Sequence, residues 1–303
     1  MTTESIVNPR STVAVGIGLM LLGCFMFSLN DTMGKWLVAT YSVGQLLLIR
    51  SVAALILLAP FIYRAGRSAF TEAPRPRVQI LRAVLSSLEV ALFYWAVVYL
   101  PLADVVTFYL AGPIFVTALS PLLLGEKIGW KRWSAVIVGF IGVLIAMRPS
   151  SASFSLPALI ALGGSVLFAL LMMATRSVRG TSGTVLVTTQ TIGALALGIV
   201  SAPFNWVTPS PRDFLLLSLL GVVAMLAHVL VNRSLKLAPA SLVVPYQYTL
   251  ILWAMVLGYF AFGDVPGLLL IAGAGIIVAA GIFIFLREQT LATGDESIPP
   301  PAA

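Results

Sequence analysis

Residues Val78–Leu124 read VQILRAVLSSLEVALFYWAVVYLPLADVVTFYLAGPIFVTALSPLLL: an apolar helix with one carboxylate, Glu89, near its middle, a corner at Pro101, and a second apolar helix. At about 1.5 Å per residue each arm spans the roughly 30 Å of a bilayer's hydrocarbon. An acid placed halfway along such a run is costly to bury and calls for a partner or a function.

The rest of the chain repeats this pattern. Of 303 residues 59% are apolar and only 10% charged, and the mean hydropathy of +1.03 excludes a water-soluble domain. Ten apolar runs are long enough to cross a membrane: 12–31, 43–63, 78–99, 103–123, 132–148, 156–175, 183–203, 213–234, 240–262 and 267–286. Ten-residue segments of alternating polarity, the mark of an outer-membrane barrel, are absent from the sequence. The expected fold is an all-α integral membrane bundle of ten transmembrane helices.

The net charge of +7 sets orientation rather than a nucleic-acid partner. With the N-terminus inside, fourteen of the eighteen basic residues fall on cytoplasmic segments: Arg10, Arg64, Arg67, Arg75, Arg77, Arg82, Lys127, Lys131, Arg132, Arg176, Arg179, Arg233, Lys236 and Arg287. Lys35, Arg148 and Arg212 lie outside and Arg50 lies within a span. The positive-inside rule therefore favours an inner-membrane protein with both termini cytoplasmic. The single cysteine, Cys24, allows no intramolecular disulfide and no cysteine metal cluster. The first apolar run is too long for a signal peptide and a second follows it closely, so it reads as an uncleaved helix. Residues 1–11 are expected to form a cytoplasmic arm and 287–303 a disordered tail without an apolar face.

Polar residues interrupt the spans at particular places. The first ends in Ser28-Leu29-Asn30-Asp31 and continues to Lys35 and Trp36. Asp31 and Lys35, four apart, share a helix face and form either a salt bridge or an outer gate. Arg50 lies roughly 10 Å below the outer boundary of the second span, and Glu89 about 16 Å in from the cytoplasmic side of the third, by helical rise. Their similar depths invite pairing. Pro113 is expected to kink the fourth span, and Gly139 and Gly142 to admit close helix packing in the fifth. Span seven carries Thr188, Thr189, Gln190 and Thr191; span eight carries His228, Asn232 and Arg233 toward its cytoplasmic end, where a lone histidine reads as packing.

Laid over one another, the halves repeat. Residues 103–125 align with 240–263 at an offset of 137 to 138, matching Tyr109 with Tyr246, an inner Pro113 with Pro245, and Gly125-Glu126 with Gly263-Asp264. Five spans per copy is odd, so residues 12–149 and 150–286 would form two inverted five-helix repeats, the architecture of secondary transporters.

Ala91–Pro149, ALFYWAVVYLPLADVVTFYLAGPIFVTALSPLLLGEKIGWKRWSAVIVGFIGVLIAMRP, resembles the drug/metabolite transporter superfamily, specifically carriers with two EamA-type repeats. The likeness extends over nearly the whole chain, with Pro239–Gly281 as the second copy. It implies a ten-helix inner-membrane carrier of small organic metabolites; related proteins handle amino acids, riboflavin, S-adenosylmethionine, sugars and amphipathic cations.

One histidine leaves a catalytic triad or a histidine metal site short of parts, and no P-loop couples ATP. The reading is a secondary carrier without cofactor or metal, moving an amino-acid-like or ring-containing metabolite such as an aromatic amino acid or riboflavin, with protons as the candidate coupling ion. Facilitated or exchange transport of S-adenosylmethionine or amphipathic cations is the alternative within transport, and an integral-membrane lipid-modifying enzyme the alternative outside it. No nucleic acid is expected, and the carrier is a monomer or homodimer. Glu89 either binds a proton or a cationic group of the substrate, or is permanently paired with Arg50; Arg50 either neutralises Glu89 or holds a substrate anion. Tyr94, Trp95, Tyr109 and Tyr246 are candidate stacking groups, the tyrosines with hydroxyls in need of partners, and Gln190 and Gln247 candidate hydrogen-bonding groups.

Overall fold

The structure, a computed structural model, describes residues 9–123, 129–146, 155–178, 180–237 and 243–295. The Gly125-Glu126-Lys127 corner, Arg148, Arg179, the Ala240 end of the ninth span and the tail from Glu296 lie outside the described residues. In hydrocarbon a backbone satisfies its own polar groups only as a helix or a closed barrel, and every described element is helical. In order they are α1 Pro9–Val38, α2 Val43–Ala65, the short α3 Ser68–Thr71, α4 Pro76–Tyr99, α5 Leu102–Tyr109, α6 Gly112–Leu123, α7 Trp130–Ala146, α8 Leu156–Ser177, α9 Gly183–Ser201, α10 Pro211–Leu237, a 3₁₀ turn Val244–Tyr248, α11 Thr249–Phe262 and α12 Leu268–Asp295. Eight stretches are long and apolar enough to cross a membrane, counting α5 with α6 as one, and Trp133–Ala146 and Tyr246–Phe262 are shorter apolar helices. The chain is a multi-pass membrane protein.

Two of the spans are discontinuous. Between α5 and α6 the ladder breaks at Leu110-Ala111, just ahead of Gly112-Pro113, because proline has no N–H to donate and disfavours helical geometry in the residue before it. The expected kink is thus a full interruption. The carbonyl of Phe108 at the break accepts from the Ala111 amide at 3.1 Å and from the Ser165 hydroxyl of α8 at 2.7 Å. The ninth span opens as the 3₁₀ turn, with Pro245 in its first positions.

Helix neighbours obey an exchange rule when the first five spans are matched in order with the second five. α1 packs on α10 as α8 packs on α4; α2 on α10 as α9 on α4; and α1 on α11 as α8 on α5 and α6. The contacts α2–α9 and α7–α12 map onto themselves. At the α7–α12 contact, a β-carbon on Gly273 would lie 2.6 Å from both the Ala146 amide and the Gly142 carbonyl, so the expected glycine seam is real and is shared with α12.

Polar groups tie both ends of the bundle. At one, the Tyr41 hydroxyl donates to Asp213 at 2.7 Å, and the Gln45 amide both donates to the Val207 carbonyl at 2.6 Å and accepts from its amide at 3.2 Å. The bond to Asp213 raises the Tyr41 phenol above its ordinary pKa. At the other, the buried Arg82 donates from Nε to the Thr175 hydroxyl at 2.8 Å and from Nη1 to Gln79 at 3.3 Å, while Gln79 donates to Thr181 at 2.9 Å. α12 runs through Arg287 to Asp295, so that part of the expected disordered tail is helix: no proline intervenes before Pro299.

Candidate functional site

The site grows from one face of α1. Ser28, Asn30 and Thr32 on that helix are buried while Val15, Leu22 and Trp36 are exposed, so the polar end of the first span faces protein and its apolar side faces outward. Gly34, one turn beyond Asn30, has no side chain, and the Tyr94 ring of α4 lies in the space where a β-carbon would stand. That close approach delivers the Tyr94 hydroxyl to Asn30, whose Nδ2 donates to it at 3.1 Å and also to Asp31 Oδ1 at 3.1 Å. From α2, Arg50 Nη1 donates to the same hydroxyl at 3.0 Å, its guanidinium carbon 5.6 Å from the ring centre.

Glu89 follows from the same helix as Tyr94. Its carbonyl accepts the Tyr109 hydroxyl at 3.1 Å, which fastens the end of α5, immediately before the break, to the middle of α4. Phe93 stands edge-on to both Tyr94 and Tyr109, at 5.5 and 5.2 Å between centroids. Asp31 and Arg50 both lie within Coulombic range of Glu89. Asp31 and Glu89 are both half-buried.

Two sequence expectations about ion pairs change. Lys35 Nζ bonds Asp264 Oδ2 of the α11–α12 connection at 2.8 Å and lies 4.6 Å from the centre of the Phe262 ring; Asp31 takes Asn30 in its place. Nor do Glu89 and Arg50 form a salt bridge: Lys35–Asp264 is the ion pair found among the described residues. Depth matched, but the Tyr94 phenol, seated against Gly34, takes a guanidinium hydrogen bond.

Of the other expected residues, Trp95 packs on the exposed Tyr99 at 4.8 Å, and Gln190 is half-buried on α9. Tyr246 lines a separate apolar cleft of about 440 Å³ with Tyr248, Met255 and Ile271, and Gln247 is half-buried beside it. No hydrogen bond or ring contact joins these four to the Tyr94 cluster. The threonines of α9 turn inward on their own helix, Thr189 to Val185 and Thr191 to Val187, while Thr188 Oγ1 is buried without a partner.

One residue joins the site that the sequence reading left out of it. Asn30 was visible only as part of a polar helix end. His228, read as packing, sits edge-on to Phe27 at 4.9 Å and is exposed on α10, in keeping with that reading.

The sequence profile of EamA-like transporters matches residues 14–148 and again 155–286. The chain belongs to the EamA-like transporter family, with two EamA repeats. It is 28% identical over 281 residues to an S-adenosylmethionine uptake transporter of Rickettsia bellii, covering 92% of this chain and 96% of that one. A riboflavin transporter of Vibrio cholerae is 29% identical, covering 83% and 85%, and a pseudopaline exporter of Pseudomonas aeruginosa 29% identical, covering 88% and 94%. A solved crystal structure shares the fold with a TM-score of 0.60 at 16% identity, over 93% of this chain and 99% of that one.

Proposed function

We propose that this EamA protein is a secondary carrier that moves a small organic metabolite, amino-acid-like or ring-containing, across an inner membrane by alternating access. The observation that carries the reading is the gathering of Asp31, Arg50 and Glu89 from three helices around Tyr94. Charged groups at membrane depth are retained for pathways and relays, and interrupted spans flank binding sites in carriers of this kind. The relatives' names, uptake transporter and exporter alike, support a carrier rather than an enzyme, and small molecules as cargo.

Ten helices as two inverted repeats, with both termini cytoplasmic, agree with the basic residues clustered on one side and with the exchange rule of helix neighbours. Glu89, Arg50, Tyr94 and Tyr109 are the proposed substrate-binding or coupling groups, with Asp31 contributed by α1 and protons as the coupling ion. Trp95, Gln190, Tyr246 and Gln247 remain candidate groups along the path, outside the Tyr94 cluster. Lys35 closes the outer mouth through Asp264. Counterflow of labelled S-adenosylmethionine, riboflavin and amino acids into sealed proteoliposomes tests this. Glu89→Gln abolishes counterflow while the protein remains folded in the membrane; wild-type rates in that variant overturn the role of Glu89.

A further inference from the structure

The two repeats close the same seam differently. In the first, α6 meets α7: Ile114 fills the place of a β-carbon on Gly139, and Phe115 stands edge-on to Phe140 at 5.2 Å between centroids. At the repeat offset of 137 to 138, Ile114 and Phe115 correspond to Ile251 and Leu252 of α11, and Gly139 and Phe140 to Ile277 and Val278 of α12. The glycine that admits a close approach is thus an isoleucine in the second copy, and both phenyl rings are gone. An apolar cleft of about 440 Å³ remains between α11 and α12, with Leu252 and Val278 in its lining.

The cleft opens sideways. Ile251 and Ala274, 5% and 4% exposed, make its floor, and Leu252 and Ile271, 59% and 45% exposed, its rim. Ile271 and Val278 lie about 5 and about 15 Å from Leu268, the first residue of α12, by helical rise, within the depth of the hydrocarbon. At one end the Tyr248 hydroxyl takes the place of a β-carbon on Gly281; at the other, residues 263–267 join the two helices. The Thr249 hydroxyl in the lining is spent on the Tyr246 carbonyl at 2.6 Å. What the cleft offers an occupant is therefore shape and dispersion.

We infer that this cleft is the seat of one phospholipid acyl chain. Water lacks polar partners there, and an empty gap forfeits the dispersion contacts that hold membrane helices together. A helix is about 10 Å across with its side chains, too thick to enter between α11 and α12, whereas an extended hydrocarbon chain is not. The chain takes the place of the two phenyl rings of the first copy, and the bilayer around the exposed rim supplies it. Selection is by chain and not by headgroup, since no charged residue lines the cleft.

The test places the full-length protein in liposomes doped with phosphatidylcholine that bears a diazirine in the middle of one acyl chain, and maps the labelled residues by mass spectrometry after illumination. In the wild type the floor residues Ile251 and Ala274 are labelled at least as strongly as Ile137 and Ile141, which are exposed on α7. Leu252→Phe with Val278→Phe restores the rings of the first copy and expels the chain: floor labelling falls to background while that of α7 persists. Phosphatidylglycerol with the same chain gives the same pattern. Should the double variant fail to fold, Gly275→Leu, which narrows the same cleft, is read in its place. A floor left unlabelled in the wild type overturns the seat, and so does a floor labelled equally in the filled variant. Labelling with one headgroup only transfers the selection to the headgroup, and a floor shielded within a dimer gives the cleft to a second copy; either result overturns the inference.

Discussion

Gly34 of α1 and Tyr94 of α4 occupy each other's space: the phenol ring fills the position that a β-carbon at residue 34 would take. Because Asn30 and Arg50 both donate to the hydroxyl of that ring, the absence of one methyl group on α1 aligns side chains from three helices. Gly34→Ala pushes the ring away and dismantles the alignment. Overpacking of this kind costs about 1–3 kcal/mol, so the expected outcome is a lowered thermal midpoint together with lost counterflow; unchanged transport would show that the ring position is immaterial.

Removing only the hydroxyl separates position from chemistry. Tyr94→Phe keeps the ring against Gly34 but strands the Asn30 and Arg50 donors, at a cost of about 1–3 kcal/mol for a buried polar group left unpaired. Folded protein with counterflow reduced at least tenfold is the expected result, and a midpoint nearer to wild type than that of Gly34→Ala. Equal behaviour of the two variants would count against the hydroxyl as the common anchor.

Lys35 and Asp264 are 14% and 25% exposed at their side chains, so their pair contributes little to stability, on the order of 1 kcal/mol or less. Its effect is expected on rate. Asp264→Asn changes the counterflow rate with almost no change in midpoint, and the double reversal Lys35→Asp with Asp264→Lys moves the rate back toward wild type. A single substitution that leaves the rate untouched removes this pair from the gating mechanism.

The contact of α7 with α12 tolerates no side chain at Gly273, where the obstructing atoms are the Ala146 amide and the Gly142 carbonyl. Backbone cannot rotate aside as a side chain can, so Gly273→Leu is expected to separate the helices. The readout is the yield of monodisperse protein and its midpoint, both falling well below those of Gly275→Leu, where the space is open. Comparable losses in the two variants would mean that the seam is not a tight one.

Much of this protein follows from one-dimensional facts. Apolar runs of about 20 residues have no soluble alternative, which is why every described element within these runs is helical and why the Gly142 packing position and a kink at Pro113 were legible in advance. Glu89, Arg50, Tyr94 and Tyr109 stood out because a polar group inside such a run is costly, and the structure brings these four together.

What the sequence could not supply was partners. Charge and depth alone matched Glu89 with Arg50 and Asp31 with Lys35, yet Arg50 bonds Tyr94 and Lys35 bonds Asp264. Depth is additive along a helix at a constant rise, whereas azimuth depends on how helices pack, and packing here is decided by contacts between residues as distant as Lys35 and Asp264. The same holds for Asn30, visible in order only as part of a polar helix end and brought to Tyr94 by packing. Sequence by itself determined that the chain is a repeated membrane helix bundle with a charged middle. Tertiary packing, through the missing β-carbon of Gly34 above all, decided which side chains that middle brings into contact.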